Sequence, residues 1–145
     1  MNADETADKV ARAMRAAEGT GPAWGVEIEE AREGYARIRM RLTPAMLNGH
    51  RKAHGGMVYA LADTAFAYAC NSRNLRTVGA QATMVFLDGA EQDEVLVAEA
   101  QEASLVGRSG VYNVSVRTDA GRPVAEFQGF SRSIGGAFIE LGDSE

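Results

Sequence analysis

From Met57 to Cys70 the chain reads MVYALADTAFAYAC, apolar on every side of a helix except at Asp63 and Thr64. A helix that is apolar all round is expected to be buried. The run is short for a bilayer and carries a carboxylate at its centre, so it predicts the central helix of a soluble domain rather than a membrane span.

Elsewhere the spacing changes. Ala7, Val10, Ala11, Met14 and Ala17 recur at helical intervals until Gly19, which predicts a short amphipathic helix within residues 1–20. Trp24, Val26 and Ile28 then alternate with Gly25, Glu27 and Glu29. After Glu33-Gly34 the alternation resumes, with Ala36, Ile38, Met40 and Leu42 against Tyr35, Arg37, Arg39 and Arg41, the pattern of a half-buried hairpin. Thr43-Pro44 ends it, and Asn48-Gly49-His50-Arg51-Lys52 forms a polar loop leading into the central helix. Beyond Arg76 four strand-like runs follow: Val78 to Leu87, Glu94 to Leu105, Gly110 to Thr118 and Val124 to Ile134. Turn residues at Asp88-Gly89, Val106-Gly107 and 119–123 separate them.

The sum is an α+β chain read as one domain over residues 1–145, with no internal repeat or linker. Short connections favour an antiparallel meander for the last four strands, and the sheet is expected to curl around the central helix. One sheet face covers one side of that helix. A second copy of the chain is the economical cover for the rest.

A net charge of −5 excludes a duplex nucleic-acid binder, which needs a concentrated positive face. The single cysteine, Cys70, permits no intrachain disulfide, and the first residues carry acids and no apolar stretch of a secretion signal. Both features fit the cytoplasm.

Asp63 is the first functional candidate, because an unpaired carboxylate among alanines and aromatics needs a partner or a use. Two structural alternatives stand beside it: a solvated stripe shared with Thr64, or a pair with one of the arginines.

The string Asn48-Gly49-His50, then His54-Gly55-Gly56, then Asp63 eight residues after Gly55, ahead of a series of strands, resembles the hotdog-fold acyl-CoA thioesterases, in particular the phenylacetate-degradation type. The likeness is dense in LNGH, HGGMVYALADTAFAYACNS, GVY and FQGFSRSIGG and runs over nearly the whole chain. It implies a hotdog fold, a curved antiparallel sheet wrapped around a long central helix. It also implies hydrolysis of acyl-CoA thioesters, arylacetyl-CoA such as phenylacetyl-CoA or its hydroxylated derivatives above all, with no metal or redox cofactor. The sites would be shared between the subunits of a homodimer, itself assembled into a homotetramer.

Carried over by position, the Gly55 N–H at the helix start meets the thioester carbonyl, where the helix dipole favours an oxyanion. Asp63 is nucleophile or general base, Asn48 holds the attacking water or the carbonyl, and His54 supports the loop and the carbonyl-binding end. The structural counterparts are a turn at Asn48-Gly49, a helix entry at His54 and close packing at Gly55-Gly56. Where the family often places a basic residue and a proline after the first long strand, this chain has Asp88-Gly89. Arg108 and Ser109 in the Gly107–Gly110 turn, with Arg132, are then the candidates for the CoA phosphates. Tyr59, Phe66, Tyr68 and Met57 are candidates for an aryl pocket, or equally core residues.

Two other classes share this pattern. A hotdog hydratase pairs an aspartate with a histidine five residues on, and Tyr68 stands there instead. A non-catalytic acyl-CoA sensor would dispense with Asp63 or carry a DNA-binding segment, for which the residues before Trp24 are too few.

Overall fold

The computed structural model describes residues 1–142. Helix α1 (Ala3–Ala17) is opened by Asn2, whose side chain accepts the Glu5 N–H at 2.8 Å. It buries Ala7, Val10 and Ala11, three of the positions its spacing selects, and lies against the first strand and the central helix. A second, short helix, α2 (Thr20–Trp24), follows and is closed by Gly25 in the left-handed region (φ 65°). Trp24 therefore belongs to a helix and not to the first strand. The alternation beginning at Trp24 extends the true strand pattern backwards across a glycine that turns the chain.

Strands β1 (Glu27–Arg32) and β2 (Tyr35–Arg41) form the expected hairpin. After a 3₁₀ turn at Pro44–Met46 comes the central helix α3 (Gly55–Cys70), then β3 (Thr77–Phe86), β4 (Val95–Val106), β5 (Ser109–Thr118) and β6 (Pro123–Ser133). All six strands make one antiparallel sheet, in the order β1-β2-β4-β5-β6-β3. Alternate inward residues (Ala36, Ile38 and Met40; Leu96, Ala98 and Ala100; Tyr112, Val114 and Val116) meet Val58, Leu61, Ala62, Ala65, Phe66 and Tyr68 of α3 in one core.

The meander holds for β4-β5-β6 and fails for β3, which lies at the far edge beside β6. The helix explains the difference. It leaves the β2 side, crosses the sheet and delivers β3 to the opposite edge. The eight-residue connection 87–94 then runs back along the end of the sheet, where Ala90 accepts the Ala53 N–H and Glu94 the Leu42 N–H. Eight residues reach about 26 Å when extended, whereas passing three strand spacings needs about 14 Å. The length of the connection alone therefore does not decide the neighbour.

Asn71, buried at the end of α3, fixes where β3 begins. Its amide donates to Ala67 O (2.9 Å) and Thr77 O (3.0 Å) and accepts the Thr77 N–H (2.9 Å). The two sheet edges differ in chemistry. Strand β1 is short and carries Glu27, Glu29, Glu30 and Arg32, the charges that guard an edge against pairing. Strand β3 reads TVGAQATMVF over ten residues, has no charge, and exposes Val78, Val85 and Phe86.

Candidate active site

Helix α3 is not covered on all sides. Gly56, Tyr59 and Asp63 form an exposed stripe, flanked by half-buried Ala60, Thr64 and Ala67. Asp63 thus lies on an open face beside Thr64, as the solvated-stripe alternative held, and among the described residues it has no ion-pair or hydrogen-bond partner. Thr64 turns its hydroxyl back onto Ala60 O at 2.7 Å.

Although the Asp63 side chain is exposed, the protein around it desolvates the carboxylate and raises its pKa above the ordinary aspartate value. Two effects of pH follow. Activity that needs the ionised carboxylate falls as the pH drops through this raised pKa, so the acid limb of kcat/KM lies above the range of an ordinary aspartate. The native state binds this proton more tightly than the unfolded chain, so the contribution of Asp63 to stability falls as pH rises through the two pKa values. Asp63→Asn should therefore melt above wild type at neutral pH, and the difference should vanish in acid. A variant that melts no higher than wild type at neutral pH would contradict this.

The other end of the helix is built by the loop before it. Asn48 Oδ1 accepts the N–H groups of His50 (2.9 Å) and Lys52 (3.1 Å), and Leu47 bridges to Ala53, so the loop folds back on itself. The carbonyl half of the Asn48 amide is thus structural. Among the described residues its NH₂ has no acceptor and is free to donate. His54 caps α3, its Nδ1 accepting the Gly56 N–H at 2.9 Å. That bond places the proton of the neutral ring on Nε2, which makes the outer edge of His54 a donor. The Gly55 N–H has no acceptor among the described residues and stands at the positive end of a sixteen-residue helix. The Phe86 ring presses on Gly55: a Cβ there would lie 3.3 Å from it.

Two donors, the Gly55 N–H and the outer His54 N–H, accordingly stand at the helix start, and the loop that carries the Asn48 NH₂ leads into it. Asp63 is eight residues on, about 12 Å along the axis, too far to act on the same carbonyl carbon. Instead Asp63 borders a cavity of about 200 Å³ with Tyr59, Phe66, Gly79, Ala80, Gln81 and Ala82. The β3 residues of this cavity have no counterpart among the sequence-based candidates. Their signal was the run Gly79-Ala80-Gln81-Ala82, small residues where a strand favours β-branched ones, and it coincides with a bulge between Gly79 and Gln81.

Ser109 and Arg132 are cross-strand partners and line one groove of about 440 Å³ on the outer sheet face. That groove shares Ala80 and Gln81 with the Asp63 cavity. Arg108 lies in the adjoining turn, its carbonyl accepting the Ser133 N–H at 2.7 Å. Neither guanidinium is in an ion pair among the described residues. Of the aryl-pocket candidates, Phe66 and Tyr68 are core residues, the Tyr68 hydroxyl donating to Glu18; Met57 is half-buried, and Tyr59 stands on the open stripe.

A long helix packed on a six-stranded antiparallel sheet, with free donors at its start and a lone carboxylate two turns later, defines a hotdog thioesterase domain. The chain matches the Thioesterase superfamily over residues 50–125. It is 40% identical over 126 residues to the acyl-coenzyme A thioesterase PaaI of Escherichia coli (strain K12), covering 87% of this chain and 90% of that protein. The structure of the E. coli PaaI protein from the phenylacetic acid degradation operon superposes with a TM-score of 0.92 at 38% identity, covering 94% of this chain and 99% of that one. A mutant of the phenylacetic acid degradation protein PaaI from Thermus thermophilus gives 0.77 at 31% identity, covering 81% and 100%. The chain belongs to the thioesterase superfamily.

Proposed function

We propose that the protein, acting as one hotdog domain, hydrolyses acyl-CoA thioesters, arylacetyl-CoA foremost, in sites completed by a second copy of the chain. One observation carries this reading: among the described residues α3 holds unpaired donors at one end and an unpaired carboxylate too far along to share a substrate with them, beside an edge strand with no charge to prevent pairing. The start of α3 lies against the end of β3, at Phe86, while Asp63 faces its first half, Gly79 to Ala82. A two-fold axis at the middle of β3 that pairs it antiparallel with its copy sets Phe86 opposite the beginning of the partner strand. Gly55, Asn48 and His54 of one protomer then meet the partner's Asp63, twice per dimer.

In such a site the carbonyl oxygen rests on the Gly55 N–H, with the Asn48 NH₂ and His54 Nε2–H as further donors. A donor of this kind is worth about 10²–10³ in kcat. Asp63 either removes a proton from water as its oxygen attacks the carbonyl carbon, or attacks directly to give an anhydride that water opens. In both routes the C–S bond breaks, the CoA thiolate leaves and takes up a proton, and the free acid remains. Transfer of ¹⁸O from solvent into Asp63 in a single turnover would establish the anhydride route, because water that opens the anhydride at the Asp63 carbonyl carbon labels the side chain, whereas general-base attack never does.

The assignment of Ser109, Arg108 and Arg132 to the CoA end rests on two guanidinium groups that have no ion pair among the described residues and on a groove, lined by Ser109 and Arg132, that shares Ala80 and Gln81 with the Asp63 cavity. Arg108→Ala and Arg132→Ala should raise KM well above any loss in kcat, and the wild-type KM should rise with salt. Thioesters lacking the nucleotide should be indifferent to both changes; equal losses on them would refute phosphate binding. The outer sheet face, with its polar groove at Thr83, Glu99, Asn113 and Glu126, is the surface on which two dimers would join as a homotetramer. The cytoplasm fits the lone Cys70, whose thiol burial holds well above its ordinary pKa. No helix among the described residues is long and apolar enough to cross a membrane. Release of thiol from a panel of acyl-CoA esters tests the activity, and no release from any of them would overturn it.

A further inference from the structure

The connection between β3 and β4, LDGAEQDE over residues 87–94, carries four acids, and all four are paired with cations from other parts of the fold. Asp93 meets Arg41 at the end of β2, Glu91 meets Lys52 in the loop before α3, and Asp88 and Glu94 share Arg122, which lies between β5 and β6. The Arg122 guanidinium donates to Asp88 Oδ2 and to Gly89 O, both at 2.7 Å, and forks onto the two oxygens of Glu94 at 2.8 and 2.9 Å. Isolated surface pairs contribute little, whereas a bidentate fork within a network of charges fixes a geometry. Arg122 is itself anchored: its N–H donates to Thr118 Oγ1 and its carbonyl accepts the N–H of Thr118, which is buried.

What the connection holds in turn is the start of α3. Ala90 is fully buried, and its carbonyl accepts the Ala53 N–H at 2.7 Å, one residue before the His54 cap and two before Gly55. Lys52, beside Ala53, is tied to Glu91 and lies against Gly89, where a Cβ would be 3.4 Å from its Cδ. Phe86, two residues before Asp88, presses on Gly55. Contacts therefore run without a break from Arg122 through residues 88–91 to Ala53, His54 and Gly55, and every one of them lies within one chain.

We propose that Arg122 is a positioning residue for the reaction: through the 87–94 connection it sets where the Gly55 N–H and the outer His54 N–H stand when a thioester carbonyl meets them. The inference rests on thioester hydrolysis at that end of α3. Preorganised donors act only in the geometry they are built for, and a displacement of about 1 Å caused far from the chemistry costs up to about a hundredfold.

The experiment measures kcat, KM and amide hydrogen exchange at Ala53 in wild type, Arg122→Ala, Arg122→Lys and the pair Asp88→Asn with Glu94→Gln. That pair removes both charges and keeps the oxygens that accept the Gly89 and Glu91 N–H groups. Arg12→Ala, which breaks an exposed ion pair on α1, is the control. Arg122→Ala should lower kcat and kcat/KM together at least about tenfold, with KM within about twofold of wild type, the pattern of an interaction made in the transition state. Exchange at Ala53 should quicken at least about tenfold, while that of Thr77, held by Asn71 at the other end of α3, stays unchanged. Arg122→Lys, a cation without the fork, should fall between. Adding Arg122→Ala to the acid pair should bring no further loss, since both remove the same contacts.

A folded Arg122→Ala whose kcat stays within about twofold of wild type overturns the proposal, as does a loss that Arg12→Ala matches or one without any change at Ala53. Should Arg122→Ala not fold, Arg122→Lys and the acid pair give the same readings. A wild type that releases no thiol from any thioester, with exchange at Ala53 still quickened by Arg122→Ala, would remove the hydrolytic reading and leave the brace. Quickened exchange with undiminished turnover would keep hydrolysis and remove Arg122 from the positioning role.

Discussion

Asp63→Asn is expected to lower thiol release from acyl-CoA at least about a hundredfold, close to 2.7 kcal/mol of transition-state stabilisation, while the protein stays folded. The substitution keeps the shape of the side chain and its capacity for hydrogen bonding, and removes only the charge and the basicity. Asp63 has no partner to lose among the described residues, so the replacement orphans no cation and opens no cavity. Its carboxylate is already disfavoured by the surrounding protein, so the neutral amide does not lower the melting temperature. A structural carboxylate would behave in the opposite way, with a large drop in stability and a proportionate loss of activity. Substantial turnover by the folded variant would remove Asp63 from the mechanism.

Much of this was legible in the amino-acid pattern. The circumferential apolarity of Met57–Cys70 located α3, and the alternations located the second strand of the hairpin and the four later strands to within one or two residues. The two departures have physical causes. Trp24 continues an alternating pattern but lies before Gly25, whose left-handed conformation turns the chain, so it packs from a helix. Strand β3 looks like the first member of a meander because its connection to β4 is short, yet the helix that precedes it dictates the edge on which it lands.

At the site, periodicity found Asp63 and the family string found Asn48, His54 and Gly55. Neither distinguishes a buried carboxylate from one on an open stripe, because that depends on which face of α3 the sheet covers. Nor does the sequence show that the Asn48 carbonyl is spent on its own loop while the NH₂ is free, a division that arises from the fold-back at Leu47 and Ala53. Gly79 of β3 acquires its meaning only when Phe66 is seen to stand over it, since a Cβ there would lie 3.1 Å from the ring.

That division shapes the most direct test of the central claim, a site built from two chains. Asn48→Asp keeps an oxygen for the His50 and Lys52 N–H groups and removes the NH₂ donor, so the loop should survive while carbonyl binding is lost. Asp63→Ala removes the carboxylate. Each variant alone should be nearly inactive. When equal amounts are unfolded together and refolded, half of the dimers formed by random pairing are mixed, and in each mixed dimer one site carries both lesions while the other is intact. One intact site in two, in half of the dimers, predicts recovery of roughly a quarter of wild-type activity. Activity that stays at the level of the separate variants, after subunit exchange has been demonstrated, would show that all the catalytic groups belong to one chain and would contradict the account.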